Sequence, residues 1–100
     1  MGCLLTPGIE PQRRRIAVER YIGMDVHAES CSFCVLDARG KEVQRDVVET
    51  NGRELVQYLR QFSGRLHLCY EESEWAGWLW EILSPHTAEV VVFRGERRKG

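Results

Sequence analysis

The sequence has no long apolar run and almost no net charge, and both absences limit what the chain can do. No stretch approaches the roughly 18 apolar residues of a transmembrane helix, so we expect no membrane partner. With 14 basic and 15 acidic residues, the formal net charge of −1 gives no general indication of nucleic-acid binding. The 100 residues are enough for one domain, and 43% hydrophobic residues can supply a small core.

The four cysteines do not form the pattern of a disulfide-stabilised domain. Cys31 and Cys34 have the spacing of a redox or zinc pair. They lie in a predicted strand, however, where residues three positions apart face opposite sides. We therefore expect two half-buried thiols rather than a shared metal ion. Free thiols fit a reducing compartment, so the predicted location is cytoplasmic.

Basic residues are concentrated near the two ends of the chain. Residues 1–19 contain three consecutive arginines after Pro7 and Pro11, and they are predicted to be a flexible leader. Residues 95–100 are predicted to be a basic tail. A solvated tail is one interpretation, and a nucleic-acid contact is the other. The candidate nucleic-acid-binding residues are Arg94, Arg97, Arg98 and Lys99.

Residues 20–94 are predicted to form one domain with five strands. Alternating apolar residues predict strands over 20–27, 30–36, 41–49, 65–71 and 88–93. The turn sequence Asp37-Ala38-Arg39-Gly40 predicts that the second and third strands form a hairpin. The last strand contains the unbroken apolar run Val90–Phe93, which predicts burial on both of its faces.

Two helices are predicted between these strands. The first begins after Asn51, which can cap it together with Glu54 at the third helical position, and Gly64 ends it. The second begins after Ser73, which can cap it. Trp80 falls off the apolar face of this helix and is predicted to be exposed. Apolar residues recur at helical spacing at Leu55, Val56, Leu59 and Phe62 in the first helix, and at Trp75, Trp78, Leu79, Ile82 and Leu83 in the second.

The order of these elements predicts a fold. Three strands can form a meander, and alternating helices and parallel strands then follow. This order is typical of an α/β, ribonuclease-H-like fold with a mixed five-stranded sheet in the order β-β-β-α-β-α-β.

Acidic residues end two of the predicted strands. Asp25 ends the first strand, and Glu71 or Glu72 ends the fourth. If these strands are neighbours, their ends converge, and Gly23 leaves room for a ligand on that face. Cleavage of a phosphodiester with two metal ions needs several carboxylates around ions about 3.5–4 Å apart, and Mg²⁺ prefers such oxygen ligands. Asp25 and Glu71 are therefore candidate metal ligands.

Simpler interpretations of these residues stay open. Asp25 can be an exposed acid at a strand-to-turn junction, and the two glutamates can favour the dipole of the second helix. Alternation places Glu71 and Glu72 on opposite faces, and the sequence leaves open which face meets Asp25. His27 is a possible ligand or proton shuttle, although a lone histidine is more often structural.

Several motifs together resemble one family. They are Tyr21–His27, the hairpin with Leu36-Asp37 and Gly40, His67–Glu72, and Trp78–Leu83. In this order and spacing they resemble the N-terminal domain of DEDD transposases of the insertion-sequence-110 type, whose catalytic domain is like that of the Holliday-junction resolvase. The resemblance runs from about Arg20 to Phe93.

The resemblance implies a metal-dependent site for cleaving and joining DNA. It implies Asp25 as the first catalytic acid and metal ligand, Glu71 as the second, and Glu72 as the reserve for that position. It further implies Mg²⁺ or Mn²⁺ as cofactor and DNA as partner, and leaves a guide RNA open as another partner. The later Asp-x-x-Asp pair and the serine-bearing domain of the family have no counterpart here. We therefore expect a truncated part that is inactive alone and works with the missing transposase domains or as a homo-oligomer.

Two other functions compete with this one. A non-catalytic nucleic-acid-binding or assembly remnant would explain the missing acids. A fragment of a sugar-kinase or actin-like ATPase would share the fold and an Ile-Gly-x-Asp start. Those proteins place glycine and hydroxyl residues after the acid to hold phosphate, whereas Val26-His27-Ala28 follows Asp25 here.

Overall fold

The computed structural model describes residues 18–95, so residues 1–17 and 96–100 lie outside the description. Within that range the chain forms an α/β fold whose elements follow the predicted order. No helix among the described residues is long and apolar enough to cross a membrane. The strands are β1 (Glu19–Val26), β2 (Ser30–Leu36), β3 (Glu42–Glu49), β4 (Arg65–Glu71) and β5 (Glu89–Phe93), and the helices are α1 (Gly52–Arg60) and α2 (Ala76–Leu83), followed by a short 3-10 helix (Ser84–His86).

The strands form one mixed sheet in the order β3-β2-β1-β4-β5, with β1 at its centre. β1 pairs antiparallel with β2, and β2 pairs antiparallel with β3. β4 pairs parallel with both β1 and β5. Because parallel strands end at the same edge of a sheet, the C-terminal ends of β1, β4 and β5 lie together. The predicted mixed five-stranded α/β sheet is confirmed.

Both helices pack on the same face of the sheet. Alternate residues of the strands are buried there in one cluster with the apolar residues of the helices. This core consists of Ile22, Met24, Cys31, Phe33, Val35, Leu55, Tyr58, Leu59, Leu66, Leu68, Tyr70, Leu79 and Leu83.

We call the opposite side of the sheet the open face, because its side chains are half-buried or exposed. The central part of the open face consists of Tyr21, Gly23, Asp25, Cys34, His67, Cys69, Glu71, Glu89, Val91 and Phe93. Cys31 lies in the core and Cys34 on the open face, which confirms that these cysteines face opposite sides. Cys31, Cys34 and Cys69 are free thiols.

The start of α1 is as predicted, and its end is not. The Asn51 side chain accepts hydrogen bonds from the backbone N–H of Arg53 and Glu54, at 2.9 and 3.2 Å. The helix ends at Arg60, before the predicted end at Gly64. Gly64, with a φ of +94°, instead makes the turn into β4. A side chain there would collide with the Val18 carbonyl, so this turn requires glycine.

Tyr58 is a core residue of α1 that the apolar pattern did not identify. Its ring stacks on Phe33, with centroids 4.3 Å apart. Its hydroxyl donates a 2.8 Å hydrogen bond to Asp46 of β3. Hydrogen bonds from Gln44 and then Tyr58 lower the pKa of Asp46. The aromatic body and the polar tip of Tyr58 therefore tie α1 to the edge of the sheet.

The prediction for α2 needs two corrections. Ser73 does not cap the helix: its hydroxyl accepts from the Trp75 N–H at 3.2 Å in a turn before α2 begins at Ala76. Trp78 is 39% exposed, so its predicted core position is wrong, because Leu79 and Leu83 make the buried contact with the sheet. The Trp78 ring lies beside Gly52 at the start of α1. The predicted exposure of Trp80 is confirmed.

The prediction that the last strand is buried on both faces is wrong. β5 lies at an edge of the sheet, and Val91, Val92 and Phe93 are 37–47% exposed. An edge strand has only one neighbour, and of the run only Val90 packs against the core. An apolar strand is therefore left exposed in the part of the chain that the structure describes.

Candidate metal-binding acids on the open face

Asp25 is the penultimate residue of β1, at the C-terminal end of the central strand. Its side chain is 74% exposed, and Nε2 of His27 lies 3.1 Å from its Oδ2. The turn fixes His27: its N–H donates to the Ser30 carbonyl at 3.1 Å, and its carbonyl accepts from the Thr50 hydroxyl at 2.6 Å. The carboxylate of Asp25 is therefore accessible, and the His27 ring lies within hydrogen-bonding distance of it.

Glu71 is the last residue of β4, and it lies on the same face of the sheet as Asp25. The register pairs Met24 with Tyr70, so the next residues, Asp25 and Glu71, stand level on adjacent parallel strands. Of the two glutamates left open by the sequence, Glu71 is the one that shares the face of Asp25. Its carboxylate lies against Gly95, where any side chain would overlap it. Gly95 follows β5, so the Glu71 carboxylate is directed away from β1 and Asp25.

Glu72 and Arg94 are paired with each other. Glu72 follows β4, and its N–H donates to the Phe93 carbonyl at 2.7 Å. Its carboxylate lies 3.7 Å from Nε of Arg94, and both side chains are exposed, so the pair contributes little to stability. Arg94 is the described member of the candidate nucleic-acid-binding cluster. The other candidates, Arg97, Arg98 and Lys99, lie outside the described residues.

The donor atoms of this site fit a hard divalent cation in type but not in number. Carboxylate oxygens are the ligands that Mg²⁺ prefers, and Asp25 and Glu71 supply them at one end of the sheet. Within residues 18–95, no group of three or more histidine, cysteine, aspartate or glutamate side chains is arranged to hold a metal ion. The described residues therefore supply part of a metal site, and water would have to complete the coordination.

A groove crosses the open face at Gly23, where β1 has no side chain. Cys34 and Cys69 stand opposite Gly23 on the two neighbouring strands. No heavy atom lies within 4 Å of the position that a Gly23 Cβ would occupy. A cavity of about 410 Å³ extends from this glycine to Asp25 and Phe93. The space that the sequence predicts beside Asp25 is therefore present.

Arg45 of β3 lines the same cavity as Asp25, and the sequence analysis did not identify it. Its guanidinium binds both carboxylate oxygens of Glu42, at 2.8 and 2.9 Å. This pairing raises the pKa of Arg45 and lowers that of Glu42. Its position depends on strand pairing, so no local sequence signal indicates it. The cavity thus has a carboxylate and a guanidinium in its wall.

His67 is the centre of a second cluster on the open face, at the opposite end of the parallel strands. Its Nε2 lies 2.5 Å from Glu19 of β1, and its Nδ1 lies 2.8 Å from Glu89 of β5. Tyr21 stacks on its ring at 4.6 Å. The hydrogen bonds to Glu19 and then to Glu89 raise the pKa of His67. Both ring nitrogens can donate only in the protonated form, so this arrangement favours an imidazolium that joins three strands.

Neither a comparison with models of known protein families nor a search of curated proteins found a match for this chain. The functional interpretation therefore rests on the sequence motifs and on the geometry of the open face.

Proposed function

We propose that this chain is the N-terminal catalytic-domain portion of a DNA transposase or recombinase of the DEDD type. In this proposal Asp25 and Glu71 contribute half of the carboxylates of a Mg²⁺ or Mn²⁺ site for DNA strand cleavage and transfer. The observation that carries the proposal is their position: both acids stand level on one face of adjacent parallel strands.

The arrangement of the sheet supports a ribonuclease-H-like fold. The strands β3, β2 and β1 form an antiparallel meander, and β4 and β5 continue the sheet in parallel with β1. The order of the elements along the chain, β-β-β-α-β-α-β, is the one that the sequence predicts for this fold. Because one fold can host many activities, the fold alone is weak support, and the position of the acids has the greater weight.

The chain's own residues have distinct roles in this proposal. Asp25 and Glu71 provide oxygen ligands, and Nε2 of His27 lies within hydrogen-bonding distance of the Asp25 carboxylate. The cavity beside Asp25 gives a DNA strand room to approach, and Arg45 in its wall can donate hydrogen bonds to a phosphate. When bound, divalent ions at these carboxylates would stabilise the charge that develops on the attacking and leaving oxygens.

The proposal requires groups from outside this chain. The Glu71 carboxylate must turn from Gly95 towards Asp25, and the remaining carboxylates and the serine must come from other transposase domains. The present direction of the Glu71 carboxylate, towards Gly95 and away from Asp25, instead favours the alternative of a non-catalytic nucleic-acid-binding or assembly remnant. The sugar-kinase or actin-like alternative is weaker, because Val26-His27-Ala28 lacks the small and hydroxyl residues that hold phosphate.

The proposal predicts that the chain binds DNA without cleaving it. We expect salt-sensitive, sequence-indifferent binding. The slope of log Kobs against log salt is predicted to be about −3 to −4 if Arg94, Arg97, Arg98 and Lys99 each contact a phosphate. Fluorescence anisotropy with a labelled duplex measures this slope. Changing the four residues to glutamine should leave a slope of about −1 at most, the contribution of one remaining contact such as Arg45. An unchanged slope would exclude the four residues as the DNA contact.

A nicking assay on the unmodified chain and on an Asp25→Ala variant tests cleavage. With Mg²⁺, neither the chain nor its Asp25→Ala variant should nick supercoiled plasmid above background, because two-metal catalysis needs both ions held in place. Robust nicking by the unmodified chain and none by Asp25→Ala would contradict the conclusion that the site is incomplete.

A further inference from the structure

The two edges of the sheet differ in charge. At one edge, β3 contains the charged residues Glu42, Arg45, Asp46 and Glu49. Such charges protect an edge strand from pairing with another strand. At the other edge, the only charged residue of β5 is Glu89, which His67 already binds at 2.8 Å. β5 contains no proline and pairs with β4 without a bulge, so it lacks the usual protection of an edge.

The backbone of β5 is available for pairing. The Phe93 carbonyl accepts from the Glu72 N–H at 2.7 Å, in the register that pairs Phe93 with Glu71 of β4. In a parallel ladder alternate residues point both backbone groups at the neighbouring strand, so those of Glu89, Val91 and Phe93 point at β4 and those of Val90 and Val92 point outward. Apart from Glu89, the side chains of β5 are apolar, and those of Val91, Val92 and Phe93 are exposed. The strand therefore offers hydrogen-bonding groups and apolar surface together.

We propose that β5 joins two copies of this chain in antiparallel pairing, so that their sheets become continuous. The occupant is a second copy because the strand is self-complementary about Val91. A two-fold axis at Val91 pairs Val91 with itself, Val90 with Val92, and Glu89 with Phe93. Every residue of β5 then has a partner. The two Glu89 side chains stay about 13 Å apart along the strands, which avoids the like-charge contact that would oppose pairing.

Other symmetric registers are less favourable. An axis at Val90 would leave Val92 and Phe93 unpaired within the strand and would bring the two glutamates closer together. An axis at Val92 would leave Glu89 and Val90 unpaired.

A five-residue edge buries less than the roughly 1,200 Å² of stable interfaces. We therefore expect a reversible dimer with a Kd on the order of 10–100 µM. This dimer is independent of the proposed DNA chemistry.

Sedimentation velocity over about 5–500 µM, a range that brackets this Kd, tests the proposal. The unmodified chain should shift from monomer to dimer across the range. Val91→Lys places two positive charges at the axis and should stay monomeric throughout. Val47→Lys is the matched control: it changes the same residue type at an exposed position on the other edge strand, and it should dimerise like the unmodified chain.

A second measurement does not depend on a variant. In the dimer the outward N–H groups of Val90 and Val92 are hydrogen-bonded to the second copy, so the exchange of these two amides should slow severalfold at high protein concentration. A chain that stays monomeric over the whole range would overturn the proposal. So would a folded Val91→Lys variant that dimerises normally, or exchange of the Val90 and Val92 amides that is independent of concentration.

Discussion

At the scale of residues, the open face carries one pair of acids that the sequence predicts, Asp25 and Glu71, and one cluster of side chains that it does not, around His67. The sequence identifies Asp25 and Glu71 as candidate ligands because each ends a predicted strand. The order of the elements then predicts that the two strand ends lie close together. The sequence does not identify the cluster of Glu19, His67 and Glu89, because His67 is 48 residues from Glu19 and 22 residues from Glu89. Their contact depends on the register of three strands, which no local pattern in the sequence specifies.

The His67 cluster predicts a two-sided pH dependence of stability. The pKa of His67 is raised in the folded protein, so protonated His67 stabilises the fold. This contribution to the free energy of unfolding is fully present below pH 6.5, the ordinary pKa of histidine, and is lost as the pH rises through the raised pKa. The pKa of Glu19 is lowered, first by the hydrogen bond with His67. Its contribution is present above the ordinary value of 4.5 and is lost as the pH falls through the lowered pKa.

An NMR titration of the His67 ring measures this effect directly. We expect a pKa above 6.5, and we expect Glu89→Gln to lower it by removing one carboxylate partner. Glu81→Gln, which changes an exposed acid on α2, is the matched control and should leave the His67 titration unchanged. A His67 pKa at or below 6.5 in the unmodified chain would show that the imidazole is not held between the two carboxylates.

At the scale of elements, the sequence predicts a strand or helix well where a local signal decides it. The bounds of β2 and β4 and the start of α1 agree with the alternation and with the Asn51 cap. The prediction fails where tertiary position decides. Val90–Phe93 has the composition of a buried strand, but it lies at the edge of the sheet. Trp78 has helical spacing, but it lies at the margin of the helix–sheet contact.

The Asn51 cap gives a prediction at this scale. Asn51→Ala removes the acceptor for two backbone N–H groups at the start of α1, so we expect a loss of about 1 kcal/mol in the free energy of unfolding. Asn51→Asp keeps an acceptor and should stay close to the unmodified chain. Urea unfolding followed by circular dichroism measures both variants. Equal midpoints for Asn51→Ala and Asn51→Asp would show that the cap does not stabilise the helix.

At the scale of the whole molecule, both helices pack on one face of the sheet and leave the other face open. This asymmetry puts the acids, the groove at Gly23 and the exposed residues of β5 on surfaces that other molecules can reach. The sequence predicts the order of the elements but not this asymmetry. The apolar run of β5 predicts a strand that is buried on both faces, whereas the structure places it at an exposed edge of the sheet.

The central claim is that Asp25 and Glu71 together bind a divalent cation, and paramagnetic broadening by Mn²⁺ tests it most directly. Because two carboxylates are few ligands for a divalent cation, we expect weak Mn²⁺ binding. During a titration with Mn²⁺, the amide signals of Asp25, Val26 and Glu71 should broaden first. Glu71→Gln should reduce this broadening, whereas Glu72→Gln, which changes the adjacent acid paired with Arg94, should not. Broadening confined to other acids, or equal broadening in the two variants, would contradict the account.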